Sequence, residues 1–257
     1  MTRLEKLFLE KKGPILNVYC TAGYPQLDST MEVMTALQQH GADIIELGIP
    51  FSDPLADGPV IQQSSALALK NGMTIQLLFD QLKNFRNSIH IPVILMGYLN
   101  PVIQYGFEKF CKDASQVGVD GIILPDLPPF EFESEYGSIM KKYGLDFIFL
   151  VTPETPAGRV RKLDSLSSGF LYAVSSSSTT GSDKRTVSTD DYLLRLHEMK
   201  LSNPILAGFG IKDKQGFDSV CRFTRGAIIG TGYIQALAKG GPVNTATKSF
   251  LSDILKP

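Results

Sequence analysis

Eight short apolar runs, rich in β-branched residues, recur along the chain. Most are followed by segments with helical spacing. The runs are Ile15–Thr21, Asp43–Ile49, Pro92–Gly97, Gly121–Pro125, Asp146–Val151, Phe170–Val174, Ile205–Gly210 and Gly226–Thr231. Most are continuously apolar rather than alternating, as strands covered on both faces of a parallel sheet are. Eight strands with crossovers in 257 residues predict one (β/α)8 TIM barrel domain spanning 1–257. An open doubly wound sheet is the rival. It calls for a Gly-rich fingerprint after the first strand, where this chain reads TAGYPQLD without GxGxxG.

Helix punctuation supports the alternation. Asp28 or Ser29 can cap a helix running toward His40 and stopping at Gly41. GFEKFCKDASQVG begins and ends on glycine, and Lys141 and Lys142 suit the last turn of a helix ending at Gly144. Thr2–Lys11, with Leu4, Leu7 and Phe8 on one stripe, predicts an extra N-terminal helix plugging one end of the barrel.

Composition excludes several classes of function. The 25 basic and 26 acidic residues leave a net charge of -1, which removes the electrostatic case for binding nucleic acid or an anionic membrane. No apolar run has the length of a membrane span. Cys20, Cys111 and Cys221 are far apart and form no CxxC, so neither a disulfide framework nor a structural zinc site is expected. The N-terminus lacks the apolar core of a secretory signal, and a reduced, cytoplasmic protein is the expectation.

The chemistry concentrates after the second run. Glu46 interrupts an apolar strand and shares a face with Ile44 and Gly48. If that face is the barrel lumen, Glu46 points inward, and burial raises its pKa toward the range of a general acid–base group. A buried Glu held by a hydrogen bond within the barrel is the alternative. Asp53 and Asp57 follow in a loop braced by Pro50, Pro54 and Pro59, where either Asp could also simply cap a turn.

ELGIPFSDPLADGPVIQ (46–62) resembles the signature of the tryptophan synthase alpha chain family. LEKLFLEKKGPILNVYCTAGYP, MGYLNPV, VGVDGIILPDLP, GFGI and AIIGTGYI resemble further family segments and occur in the family's order. The resemblance implies a TIM-barrel lyase of tryptophan biosynthesis that cleaves indole-3-glycerol phosphate to indole and glyceraldehyde 3-phosphate by a cofactor-free retro-aldol reaction. It implies Glu46 as the acid–base group at indole C3 and the neighbouring hydroxyl, and Asp57 as acceptor of the indole N–H. It places Tyr19, Ile61, Tyr98, Ile123, Tyr172 and Phe209 at the indole slot, and backbone N–H groups of Gly181, Gly210, Gly230 and Thr231 at the phosphate. Taken singly, the apolar positions also suit barrel core, and the glycines suit tight turns.

By the same resemblance, 175–191 is a lid whose Thr180 meets the Asp57 loop. Ser176 stands where relatives often carry arginine, and Tyr19 where many carry Phe. The implied partner is a beta chain holding pyridoxal phosphate in an alpha2-beta2 heterotetramer, contacted through Asp53, Pro54 and Leu99–Tyr105; no metal is implied. Two other readings stand beside this one. One is another phosphate-binding barrel enzyme, such as an epimerase or indoleglycerol-phosphate synthase type. The metal-binding histidines of an epimerase-type site are not evident in His40, His90 and His197. The other is a non-enzymatic subunit that only activates a beta chain.

Overall fold

A computed structural model of the chain describes residues 1–174, 188–208 and 210–256. Its strands are β1 (Ile15–Thr21), β2 (Ile44–Gly48), β3 (Val93–Met96), β4 (Gly121–Ile123), β5 (Asp146–Phe147), β6 (Leu150–Val151), β7 (Leu171–Val174), β8 (Ile205–Gly208) and β9 (Gly226–Ile229). They lie in the order β5-β4-β3-β2-β1-β9-β8-β7-β6, and every pairing is parallel.

The two ends of that ladder are halves of one run, parted by Ile148 and Phe149. Ile148 N–H donates to Ile122 O at 3.1 Å, and Tyr172 N–H donates to Phe149 O at 3.0 Å. The run therefore bonds to β4 on one side and to β7 on the other, and the sheet closes. The fold is a (β/α)8 barrel. The break has a local cause: Phe147 N–H and Phe149 N–H donate to the Ser168 and Ser167 hydroxyls, at 3.0 and 3.2 Å. Side chains from the turn before β7 replace part of the ladder.

Alternation along the strands sorts two cores. Ile15, Ile44, Ile94, Ile123, Ile148, Phe170, Leu206 and Ile228 fill the lumen together with Leu4. Leu16, Val18, Ile45, Leu47, Val93 and Leu95 face outward into the larger layer beneath the helices. Each such fully buried aliphatic side chain contributes about 1.5–3 kcal/mol. Leu4 belongs to the helix Arg3–Glu10, whose cap is reciprocal: Glu5 N–H donates to Thr2 Oγ1 and Thr2 N–H to the Glu5 carboxylate. That helix closes the rim where the strands begin.

Several helix ends match the glycine punctuation. Phe107–Val117 runs from Gly106 to a left-handed Gly118. Thr30–Gln39 follows Ser29, yet the Ser29 hydroxyl makes no cap and accepts instead from Gln26 N–H at 3.3 Å. Leu99–Tyr105, LNPVIQY, is a helix with Val102 buried and Ile103 exposed. Among the described residues, no helix is long and apolar enough to cross a membrane.

Candidate active site

The C-terminal ends of β1, β2, β3, β8 and β9 and the adjoining loops surround one cavity. Its wall includes Tyr19, Glu46, Asp57, Ile61, Met96, Tyr172, Gly208, Gly210, Ile211, Ile228, Gly230 and Thr231. This is the rim on which barrels carry their chemistry.

Glu46 is 1% exposed, and its carboxyl reaches the cavity from the middle of β2. Burial pushes its pKa up to about 8, and the nearby Asp57 charge adds to the rise. Against them works one hydrogen bond, from Asn17 Nδ2 on β1 to Glu46 Oε2 at 2.9 Å.

Asp57 comes from the loop between β2 and the helix Pro59–Lys70. Pro59 opens that helix at its first position, where its missing N–H costs nothing. Asp57 N–H donates to Pro54 O at 3.1 Å, and Gln62 Nε2 donates to Asp57 O at 2.9 Å, which fixes the loop from both sides. The Asp57 carboxylate accepts from the Tyr98 hydroxyl at 3.0 Å, and that hydroxyl accepts from Ala56 N–H at 3.0 Å. Partial burial raises the Asp57 pKa, and the Tyr98 bond works against the rise. Burial and the Asp57 charge raise the Tyr98 pKa in turn, so its proton stays on the phenol.

Small residues make room for two rings. A Cβ on Gly48 would fall 2.1 Å from the Tyr19 hydroxyl oxygen, and one on Gly208 would fall 2.8 Å from that of Tyr172. Each tyrosine thus lies over the glycine of a neighbouring strand and presents a flat aromatic surface to the cavity. On the opposite wall, Gly230 caps the helix Thr231–Ala238. Among the described residues, Ile234 N–H, bonded to Gly230 O, is the first of that helix to find a partner. The N–H groups of Thr231, Gly232 and Tyr233, without a partner among the described residues, could serve a ligand anion. Gly210 has φ +65, a conformation that favours glycine.

The structure therefore brings Tyr19, Glu46, Asp57, Ile61, Tyr172, Gly210, Gly230 and Thr231 together. Tyr98 stands behind the wall, with its hydroxyl bonded to Asp57. Ile123 is fully buried among the lumen residues, at the end of β4 and paired with Met96 of the wall. Thr180, Gly181, Ser176 and Phe209 lie outside the described residues. Pro54 is buried, so it shapes the loop rather than presenting a surface, whereas Asp53 is exposed. Sequence reasoning did not single out Met96, Ile211, Ile228 or Asn17. Strand parity is the signal for three of them: Met96 pairs with Gly48, Ile228 with Asn17, and Asn17 with Ile44, all on the inward side.

Among the described residues, no group of three or more His, Cys, Asp or Glu is placed to hold a metal. Burial pushes the thiols of Cys111 and Cys221 up to about 12, which leaves them as poor nucleophiles.

The model of the tryptophan synthase alpha chain family matches residues 6–252. The chain belongs to the tryptophan synthase alpha chain family. The alpha chain of Flavobacterium johnsoniae is 49% identical over 242 residues, covering 94% of this chain and 95% of its own length. That of Flavobacterium psychrophilum is 47% identical over 256 residues, covering 99% and 100%. The crystal structure of the alpha subunit from Legionella pneumophila superposes with a TM-score of 0.89 at 35% identity, covering 99% of this chain and 97% of that one. A tryptophan synthase complex from Pyrococcus furiosus matches with a TM-score of 0.84 at 32% identity, covering 95% and 98%. Alpha chains of tryptophan synthase are carbon–carbon lyases that cleave indole-3-glycerol phosphate and feed indole to a beta subunit.

Proposed function

We propose that this alpha chain performs the retro-aldol cleavage of indole-3-glycerol phosphate with Glu46 and Asp57 as its two working carboxyl groups. The observation that carries the reading is their convergence on one cavity in different environments. Glu46 is sealed in the wall and titrates near 8, while Asp57 sits half-buried on a braced loop.

At neutral pH Glu46 holds its proton and can deliver it to indole C3. The ring nitrogen then carries positive charge, and the Asp57 carboxylate accepts its N–H and stabilises that charge. The ionised Glu46 next takes the proton of the hydroxyl beside C3. As the aldehyde forms, the bond between C3 and the carbinol carbon breaks, and its electron pair restores the C2–C3 double bond of indole. One proton enters at C3 and one leaves the hydroxyl, so a single carboxyl closes the cycle without a metal or cofactor.

Tyr19, Tyr172 and Ile61 hold the flat ring in this reading, and the start of the helix Thr231–Ala238 holds the phosphate. The lid at 175–191, with Thr180 and Gly181, belongs to the same proposal, as do Phe209 as a wall of the indole slot and Gly210 at the phosphate. The partner is a beta chain carrying pyridoxal phosphate in an alpha2-beta2 assembly. Asp53 and the helix Leu99–Tyr105, with its exposed Ile103, supply the contact. A cytoplasmic location suits such an assembly.

Release of indole from indole-3-glycerol phosphate, measured with the chain alone and with a beta chain added, tests the reading. Glu46→Gln is expected to lower kcat at least a thousandfold, and Asp57→Asn about a hundredfold or more, with phosphate binding retained in both. Wild-type turnover in either variant overturns that residue's role.

A further inference from the structure

Asn17 is wholly buried in β1, an uncommon place for a polar side chain inside an apolar strand. Its inward neighbours along the strand are Ile15 and Tyr19, and its register partners are Ile44 on β2 and Ile228 on β9. The amide makes one hydrogen bond, from Nδ2 to Glu46 Oε2 at 2.9 Å. Its other end, Oδ1, is buried and has no partner among the described residues. Among the described residues, the amide is therefore tied through Glu46 alone. A half-turn about the Cβ–Cγ bond exchanges oxygen and nitrogen at nearly the same positions and breaks no other bond.

We propose that Asn17 is the positioning residue that serves Glu46 in both protonation states. It donates from Nδ2 to the carboxylate and, after a half-turn, accepts the acid proton through Oδ1. This deepens the assignment of Glu46 as the acid–base group and rests on it. A carboxyl group that gives a proton to carbon and then takes one from oxygen changes charge within each turnover. A fixed donor would suit only its ionised form, and a fixed acceptor only its acid form. An amide held by nothing else follows the proton, and the proton itself never leaves the Glu46–substrate pair.

The other groups facing Glu46 cannot do this. Tyr19, Cys20 and Tyr172, neutral groups with pKa values raised chiefly by burial, make no hydrogen bond to Glu46 among the described residues, and Asp57 is an acceptor that repels the Glu46 charge. Ile94, Met96 and Ile228 on the flanking strands are apolar.

Two variants test the idea. Asn17→Leu keeps the branched outline and removes both hydrogen-bonding ends. Asn17→Thr keeps one group able to give and take a hydrogen bond, on a side chain that suits a strand. The readouts are the pH profile of indole release and the titration of the Glu46 carboxyl carbon by carbon-13 NMR, assigned by its loss in Glu46→Gln.

Bonds to a charged group outweigh those to its neutral form, so losing Asn17 penalises the carboxylate more. Asn17→Leu is expected to move the Glu46 titration and the alkaline limb of kcat upward by about one pH unit. It is also expected to lower kcat about tenfold with KM nearly unchanged, and Asn17→Thr to recover part of both. An unmoved titration in folded Asn17→Leu, or no recovery at all in folded Asn17→Thr, overturns the proposal. So does a loss of kcat that is equal at every pH and tracks stability, since that marks a packing role. If Glu46→Gln itself keeps wild-type turnover, the acid–base assignment of Glu46 has failed, and the result is read against that assignment instead.

Discussion

A carboxyl group kept at 1% exposure must leave a mark on the stability of the protein. Glu46 titrates from about 4.5 in the unfolded chain and about 8 in the folded one. Below the lower value it is protonated in both states and costs little. As pH rises between the two, the unfolded chain ionises first, so folding loses stability until the folded group ionises as well. Above about 8 the deficit is constant. Each pH unit between the two titrations costs roughly 1.4 kcal/mol, so the deficit amounts to several kcal/mol. Glu46→Gln is therefore expected to gain stability relative to the wild type as pH rises from 4 to 9, with almost no difference at the acid end. Urea denaturation at the two extremes measures it, and a pH-independent difference would contradict the assigned titration. The position of Glu46 is legible in the sequence because an acidic residue stands out in an apolar run. Asn17 is not, because one neutral amide in ILNVYCT has no partner within its own run. Its meaning appears only when β1 and β2 align across 29 residues of sequence.

At the scale of elements, continuous apolar runs locate every strand, because a strand covered on both faces needs no polar alternation. Periodicity cannot show the interruption at Ile148 and Phe149, since the hydroxyls that cause it come from Ser167 and Ser168, about twenty residues away. The helix ending at Gly144 hides a similar detail. It carries a wide turn over Phe132–Tyr136, and Gly137 fits there because a Cβ would meet Phe132 O at 2.9 Å. The wide turn sets Phe132 against Phe147 and Phe149, which stack or meet edge-on at 4.6 and 5.2 Å. Gly48 shows how an element's end shapes the site. It accommodates the Tyr19 ring, and a buried ring beside a closed strand has little space to yield. Gly48→Ala is expected to cost about 1–3 kcal/mol by overpacking and to lower kcat/KM at least tenfold, through the displaced ring beside Glu46. Denaturant titration and steady-state assay together check it. Normal activity in a destabilised variant would mean that Tyr19 does not shape the slot.

Across the whole molecule the two rims of the barrel do different work. Glu46, Asp57 and the Gly230 turn converge where the strands end, so the lumen between them and the opposite rim serves packing alone. Ile123 stands at the boundary: the last residue of β4, it packs among the lumen residues and pairs with Met96 of the cavity wall. At the opposite rim, Arg3 binds Asp120 at 2.9 Å, and Asp120 also pairs with Arg86, which in turn donates to the carbonyls of Gly118 and Ile91. Lys11 reaches Asp43 at 2.6 Å, at the start of the second strand. These contacts seat the N-terminal helix, and Leu4 drives its apolar stripe into the lumen with no exposure. Removing that side chain opens a void in a region that cannot easily collapse, because the strands around it are held by their neighbours on both sides. Leu4→Ala is expected to destabilise the fold by about 2–5 kcal/mol while changing kcat and KM less than twofold below the melting transition. Thermal or urea denaturation gives the first number and indole release the second. A large fall in kcat at full folding would show that the plug communicates with the catalytic rim, and the separation of the two ends would then be wrong.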